Sequence, residues 1–89
     1  MVGHMKFYVY ILQSLKDKGY YVGMSGNVEV RVQYHNQGRV RSTKHRVPFQ
    51  VLYREEFGSR VQAREREKYL KSYRGAKEKL TIIENSRVV

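Results

Sequence analysis

The chain has 89 residues, and its 18 Lys and Arg against 8 Asp and Glu give a formal charge of +10. A chain of this length supports one small core, which excludes a second domain and a large cofactor cradle. The absence of cysteine excludes a disulfide framework, a zinc–thiolate finger and a cysteine nucleophile, and the longest apolar run, residues 7–12, is far too short to span a membrane.

The excess of positive charge indicates a polyanionic partner. Neutralising phosphates releases condensed counterions, so a domain this basic is typical of nucleic-acid-binding proteins, whereas solubility needs a net charge of only about 2–8. We therefore expect DNA, contacted through its phosphate backbone, as the partner, with no membrane association. A protein partner for targeting is compatible with this expectation. The lack of cysteine and of a secretory signal fits a cytoplasmic protein.

The chain is expected to form a single domain over residues 5–85. Residues 1–4 precede Met5 and look like residues added for expression, and residues 86–89 are expected to be a tail.

The first elements in chain order predict a β-hairpin. Residues 7–13 are aromatic and β-branched and predict a strand, and residues 20–23 predict its antiparallel partner after a turn at 16–19. Because side chains alternate across a strand, one face of the first strand carries Tyr8, Tyr10 and Leu12.

A helix is predicted next. Asn27 is suited to cap a helix over residues 28–37, which Gly38 ends. Arg31 and His35 lie four residues apart, between two groups of apolar side chains on this helix. A solvated charge is not normally found there, so these two residues are candidates for a site.

The third strand follows a basic loop. Pro48 favours a strand edge, residues 49–53 predict the strand, and Glu55, Glu56 and Gly58 lead out of it.

Two further helices complete the order β-β-α-β-α-α. Ser59 and Gln62 form a capping box that begins a helix running to about residue 73, and Gly75 breaks it. A short amphipathic third helix is marked by Ala76, Leu80 and Ile83. The pattern therefore predicts an α+β fold, in which antiparallel pairing follows from the residues only for the first hairpin.

Two short motifs and three later residues have a specific order and spacing. Tyr8-Val9-Tyr10 is followed by Tyr21-Val22-Gly23, then by Arg31 and His35, and by Glu67 on the second predicted helix. Further short matches read His-Asn-Gln-Gly at 35–38, Ser-Thr-Lys at 42–44 and Arg-Val-Pro at 46–48. Over residues 6 to about 75 the sequence resembles the GIY-YIG endonuclease family, in particular its small standalone bacterial members. It departs from the first motif by having Tyr8 in place of glycine, and valine replaces both central isoleucines.

This resemblance implies a three-stranded antiparallel sheet flanked by helices and a metal-dependent endonuclease that hydrolyses phosphodiester bonds in DNA. By position it implies a catalytic set of Tyr10, Tyr21, Arg31 and His35, with Glu67 as the ligand of Mg²⁺ or Mn²⁺. These five side chains are expected to converge on one cleft.

The chemistry suits these residue types. The planar fork of Arg31 would bind a phosphate, and Mg²⁺ commonly combines a carboxylate such as Glu67 with waters and substrate oxygens. Tyr21 is a candidate to take a proton from the attacking water, and Tyr10 or His35 to orient that water or assist the transfer, so the general base stays open.

The basic loop predicts contacts with DNA phosphates, which position a duplex without reading its bases. The residues proposed for this role are Arg39, Arg41, Ser42, Thr43, Lys44 and Arg46.

Each candidate also has a structural alternative. The tyrosines could be half-buried strand aromatics, Arg31 part of an ordinary salt bridge, His35 a packing residue, and Glu67 the i,i+4 partner of Lys71. The alternative function is a catalytically inactive nucleic-acid-binding module with a nuclease-like fold. A ribosome-associated structural protein would need basic residues on several faces. With no second domain to read long sites, we expect structure-selective or weakly specific cleavage.

Overall fold

The computed structural model describes residues 5–86, so the expectations for residues 1–4 and 87–89 lie outside the described residues. The elements follow the predicted order, with one short 3₁₀ turn at Lys44–Arg46: β1 (Phe7–Ser14), β2 (Tyr20–Ser25), α1 (Val28–Asn36), β3 (Phe49–Phe57), α2 (Arg60–Lys71) and α3 (Ala76–Ser86). Ser86, expected to begin the tail, is the last residue of α3. Among residues 5–86, no helix is long and apolar enough to cross a membrane.

The three strands form one antiparallel sheet in the order β2-β1-β3. On the central strand, Tyr10 lies opposite Gly23 of β2 and Arg54 of β3. Antiparallel pairing therefore extends to β3, for which the residue pattern alone made no prediction. The α+β class and the three-stranded antiparallel sheet agree with the expectation.

The alternation predicted for β1 separates two layers of core. On one face of the sheet, α2 and α3 cover a cluster of Val9, Ile11, Val22, Ala63, Leu70 and Ile83. On the other face, α1 covers a second cluster of Tyr10, Leu12, Val28 and Phe49. The sheet therefore lies between helices, and Tyr10 faces α1.

Local hydrogen bonds explain where the helices begin and end. The Asn27 side chain accepts the N–H of Val30 at 3.1 Å, and the Ser59 hydroxyl accepts the N–H of Gln62 at 3.1 Å. These bonds satisfy N–H groups that the first helical turn leaves free. Gly38 follows α1 with φ of +74°, a conformation that glycine adopts at little cost.

The third strand is longer than predicted. It continues to Phe57 because Arg54, Glu55 and Glu56 pair with β1 instead of leading out of the sheet. Conversely, α2 ends at Lys71, before the predicted residue 73.

The face of α3 that packs against the core differs from the predicted one. Leu80 was placed on the apolar face, but it is 55% exposed, whereas Ile82 packs against the core cluster next to the buried Ile83.

Tyr8 occupies the position where the first motif has glycine. It lies in a regular part of β1, opposite Ser25 and Glu56. Among residues 5–86, the non-glycine residue with a positive φ is Lys18, so the backbone at Tyr8 does not need glycine.

Candidate active site

The sheet brings the two motif tyrosines to the same side. Tyr10 lies opposite Gly23, and Tyr21 lies opposite Leu12, so both rings share the face that α1 covers. Tyr10 is only 1% exposed, whereas Tyr21 is half-buried. Tyr21 therefore keeps access to solvent at the edge of this layer.

His35 lies completely buried among these rings. Its Nε2 atom is 3.2 Å from the Tyr10 hydroxyl, and its Nδ1 atom is 2.8 Å from the Thr43 hydroxyl. The ring centroid of Tyr21 lies 5.1 Å away in an edge-on arrangement, and that of Phe49 lies 5.8 Å away. Both ring nitrogens of the buried His35 are thus hydrogen-bonded.

The end of α1 is anchored beside His35. The Asn36 side-chain amide donates to the carbonyl of Phe49 at 3.1 Å and accepts the Phe49 N–H at 2.7 Å. These two hydrogen bonds to the first residue of β3 fix the last turn of α1 against the sheet. They thereby hold the imidazole of His35 over Tyr10.

Burial sets the protonation of the Tyr10–His35 pair. Desolvation raises the pKa of Tyr10 to about 12, with the charges of Tyr21 and Glu67 acting in the same direction and Arg31 opposing them. Desolvation, assisted by the nearby Arg31 charge, lowers the pKa of His35 to about 4. Both groups are therefore uncharged at neutral pH.

Arg31 and Glu67 approach Tyr10 from two different helices. A hydrogen bond from the half-buried Arg31 lowers the pKa of Tyr10, and the charge of Glu67 raises it. Although α1 and α2 pack on opposite faces of the sheet, both side chains influence the pKa of Tyr10. The structure thus brings Tyr10 and Tyr21 into contact with His35, and the charges of Arg31 and Glu67 are near enough to shift the pKa of Tyr10.

Lys71 also lies in this cluster. Its Nζ atom is 3.1 Å from the Glu67 carboxylate and 5.3 Å from the centroid of the Tyr21 ring. From the sequence, Lys71 was expected only as an i,i+4 ion-pair partner of Glu67. That same spacing from a predicted metal ligand was the signal that could have placed Lys71 at the site. The Glu67 side chain is only 19% exposed.

The residues around Glu67 limit what kind of metal could bind. Within residues 5–86, no group of three or more His, Cys, Asp or Glu could hold a metal ion. The carboxylate of Glu67 is a hard oxygen donor. A single carboxylate fits Mg²⁺, which often uses one or two carboxylates and fills its shell with waters and substrate oxygens.

Four of the six loop residues predicted to contact DNA are exposed: Arg39, Arg41, Ser42 and Lys44. The guanidinium of Arg39 lies 4.4 Å from the centroid of the Tyr34 ring, an arrangement that holds this cation on the surface of α1.

The prediction that the Thr43 hydroxyl contacts a DNA phosphate is wrong. Thr43 is completely buried, and its hydroxyl contacts His35, so it cannot reach a phosphate.

The Arg46 side chain binds the turn between β1 and β2. Its Nε atom lies 2.7 Å from Asp17, whose pKa this contact lowers to about 2, and its guanidinium also donates to the Tyr20 carbonyl. The Ser14 hydroxyl donates to the Arg46 carbonyl at 2.6 Å. Arg46 therefore anchors the loop to the hairpin.

Comparison with known proteins relates this geometry to a family. The model of the GIY-YIG catalytic domain matches residues 6–80. The chain is 40% identical over 80 residues to a UPF0213 protein of Staphylococcus haemolyticus, covering 89% of this chain and 95% of that protein. It is 35% identical over 80 residues to a UPF0213 protein of Natronomonas pharaonis, covering 89% and 93%. The solution NMR structure of a UPF0213 protein from Bacillus halodurans is similar, with a TM-score of 0.52, 31% identity and coverage of 88% and 85%.

Proposed function

Since this chain belongs to the GIY-YIG family of nuclease domains, we propose that it is a metal-dependent endonuclease that hydrolyses phosphodiester bonds in DNA. The observation that supports this most directly is the contact of His35 with the buried Tyr10 hydroxyl, whose pKa the charges of Arg31 and Glu67 also shift. A cation, a carboxylate and phenol groups in one cluster are the groups that phosphodiester hydrolysis requires.

The side chains divide the chemistry between them. Arg31 binds the scissile phosphate through its planar donor fork. Neither Tyr10 nor His35 suits the role of base at neutral pH: burial raises the pKa of Tyr10, so its hydroxyl stays protonated, and lowers the pKa of His35, so its imidazole binds a proton only weakly. Tyr10 therefore orients the attacking water, and His35 holds Tyr10. Tyr21, half-buried beside them, is left as the candidate to take the proton from that water.

Glu67 is the residue that would hold Mg²⁺ or Mn²⁺. The bound ion would neutralise charge that develops on the phosphate. The ammonium of Lys71, which contacts Glu67 at 3.1 Å, is free to turn towards the phosphate when the carboxylate binds a cation.

The exposed loop residues favour a substrate selected by shape. Arg41, Ser42 and Lys44 present two cations and a hydroxyl, which contact the DNA backbone without reading bases. We therefore propose structure-selective or weakly specific cleavage.

The Glu67–Lys71 contact also supports a second candidate function. An ammonium that neutralises the carboxylate suits a passive surface for phosphates, as in a catalytically inactive nucleic-acid-binding module. In the endonuclease Glu67 would bind the metal ion, whereas in the binding module it would only pair with Lys71.

Cleavage of supercoiled and branched DNA tests the proposal. The wild type is compared with Glu67→Ala at low salt, in Mg²⁺, in Mn²⁺ and with a chelator. Glu65→Ala is the matched control, because Glu65 lies on the same helix with an exposed side chain. We expect metal-dependent cleavage that Glu67→Ala abolishes and Glu65→Ala retains. Tight binding with equal background cutting by all three proteins would favour the binding module.

A further inference from the structure

Thr43 carries a buried hydroxyl for which the proposed mechanism has no use. The residue is completely buried, although it belongs to a loop whose neighbours Arg41, Ser42 and Lys44 are exposed. Its Oγ1 atom lies 2.8 Å from Nδ1 of His35 and 3.4 Å from the carbonyl oxygen of Val40. Thr43 is thus connected to the Tyr10 hydroxyl through the imidazole ring of His35.

These contacts form one continuous chain of hydrogen bonds. Its members, in spatial order, are Tyr10, His35, Thr43 and the backbone carbonyl of Val40. Within residues 5–86, every buried side-chain nitrogen and oxygen has a hydrogen-bond partner. Polar networks that are fully satisfied in this way hold one arrangement of side chains.

The carbonyl end of the chain determines its direction. A carbonyl only accepts, so the Thr43 hydroxyl donates to Val40 and is left to accept from His35. Nδ1 of His35 must then carry the ring proton, and Nε2 must accept the hydroxyl hydrogen of Tyr10.

The reverse direction is less favourable. It would need Nε2 of His35 to carry the proton and donate to Tyr10. Thr43 would then have to donate to Nδ1 of His35 and lose its bond to the Val40 carbonyl, and the hydrogen of Tyr10 would lose His35 as its acceptor. A neutral imidazole has one donor and one acceptor nitrogen, so the two directions correspond to two distinct tautomers.

We propose that Thr43 is a positioning residue that fixes the tautomer of His35 with the proton on Nδ1, and thereby turns the hydroxyl hydrogen of Tyr10 inwards and a lone pair of its oxygen towards the cleft. Tyr10 then acts as an acceptor that orients Arg31 and water and does not donate to the phosphate. The effect on cleavage rests on the proposed function, whereas the tautomer does not.

The tautomer is measured directly from the ¹⁵N resonances of the imidazole ring at neutral pH. The peaks of His35 are those that disappear in His35→Asn. In the wild type we expect a protonated Nδ1 and an unprotonated Nε2. A protonated Nε2 in the wild type would overturn the proposal, whether or not the protein cleaves DNA.

Two variants separate the hydroxyl from the shape of the side chain. Thr43→Val keeps the branched shape but removes the acceptor for Nδ1, and Thr43→Ser keeps the hydroxyl. We expect the Nδ1-protonated signature to be lost in Thr43→Val and kept in Thr43→Ser. Circular dichroism shows whether both variants fold, and if Thr43→Val does not, the wild-type spectrum still decides.

Cleavage kinetics supply the second measurement. We expect kcat of Thr43→Val to fall about tenfold, as expected for one lost hydrogen bond, with little change in KM and with Thr43→Ser close to wild type. Thr81→Val, the same substitution at an exposed threonine of α3, should leave both constants unchanged. A folded Thr43→Val with the wild-type tautomer and rate would overturn the proposal. If the wild type itself cleaves nothing, the proposed function fails, and the ring resonances alone decide the role of Thr43.

Discussion

The hydroxyl end of the Tyr10 ring lies close against Gly23, its partner across the β1–β2 ladder. A β-carbon added at position 23 would be 2.5 Å from the Tyr10 hydroxyl oxygen and 2.6 Å from the ring carbon that bears it. The glycine that ends the second motif is therefore required by the close approach of a side chain rather than by a turn. It lets the Tyr10 hydroxyl reach His35.

Replacing this glycine should displace Tyr10. We expect Gly23→Ala to lower the free energy of unfolding by about 1–3 kcal/mol, as overpacking typically does, and to reduce cleavage because the hydroxyl leaves His35. Urea denaturation measures the first effect. Gly58→Ala is the control, because a β-carbon there meets nothing within 4 Å. Equal destabilisation by both variants would contradict the steric explanation.

Glu67→Gln should separate catalysis from stability. Its ion pair with Lys71 is partly exposed, and such pairs contribute about 0–1 kcal/mol, so the free energy of unfolding should change little. Metal-dependent cleavage should fall at least about 100-fold, because the loss of a bound ion removes several kcal/mol of charge stabilisation. Rates and unfolding curves of the same preparation test both. A rate that falls only in proportion to the unfolded fraction would support a purely structural ion pair.

The exposed loop cations should control the salt dependence of DNA binding. Each phosphate contact contributes about 0.9 to the slope of log K against log salt concentration, so Arg41→Ala and Lys44→Ala should each reduce the slope by about 1. Fluorescence anisotropy with labelled duplex DNA over a range of salt concentrations measures this slope. Lys77→Ala changes an exposed cation on α3, on the other side of the sheet, and should not alter it. An equal effect of all three variants would indicate delocalised attraction without a defined loop contact.

Protonation of His35 should destabilise the fold in mild acid. The pKa of His35 is about 4 in the folded protein, below its ordinary value of 6.5, so between these pH values the unfolded chain binds a proton that the folded chain does not. Stability should therefore fall as the pH drops from 6.5 to 4, by up to about 3 kcal/mol at about 1.4 kcal/mol per pKa unit.

Urea unfolding at several pH values between 7 and 4 measures this slope. It should be reduced in His35→Gln and kept in His45→Gln, which changes an exposed histidine. The ion pair of Asp17 with Arg46 does not interfere, because the pKa of Asp17 is lowered from 3.8 to about 2 and its contribution is lost only below this range. An unchanged slope in His35→Gln would contradict the assignment.

Arg66 should stabilise the fold without affecting cleavage. It joins three elements, with Nε 2.7 Å from Glu55 of β3 and Nη2 bonded to Glu78 of α3. We expect Arg66→Met to lower the free energy of unfolding by about 1 kcal/mol, because hydrogen bonds to charged groups exceed isolated surface pairs in strength. Thermal melts measure this loss. The cleavage rate of the folded variant should equal that of the wild type, and a lower rate would place Arg66 in the site.

Features controlled by neighbouring residues could be predicted before the fold was known. The caps at Asn27 and Ser59 and the glycine end of α1 depend on hydrogen bonds and φ values within a few residues, and all three are confirmed. The alternation of β1 is equally local, since successive side chains of a strand must point to opposite faces. The order of the motifs identified the family, whose model matches residues 6–80.

Contacts between distant residues were beyond such reasoning. The loop around Thr43 is polar and basic, which is why its hydroxyl was assigned to DNA, yet folding buries it against His35 on another element. The charged residues Glu55 and Glu56 belong to β3 only because β1 supplies their backbone partners.

The sequence by itself therefore determined the elements, their order, the family and the residue types of the site. The tertiary structure decided which of these residues meet. His35 of α1 reaches the Tyr10 hydroxyl of β1, and Lys71 of α2 approaches the Tyr21 ring of β2, only when the sheet and both helices are packed. Burial then sets their protonation, since the pKa of His35 depends on desolvation and on the Arg31 charge beside it.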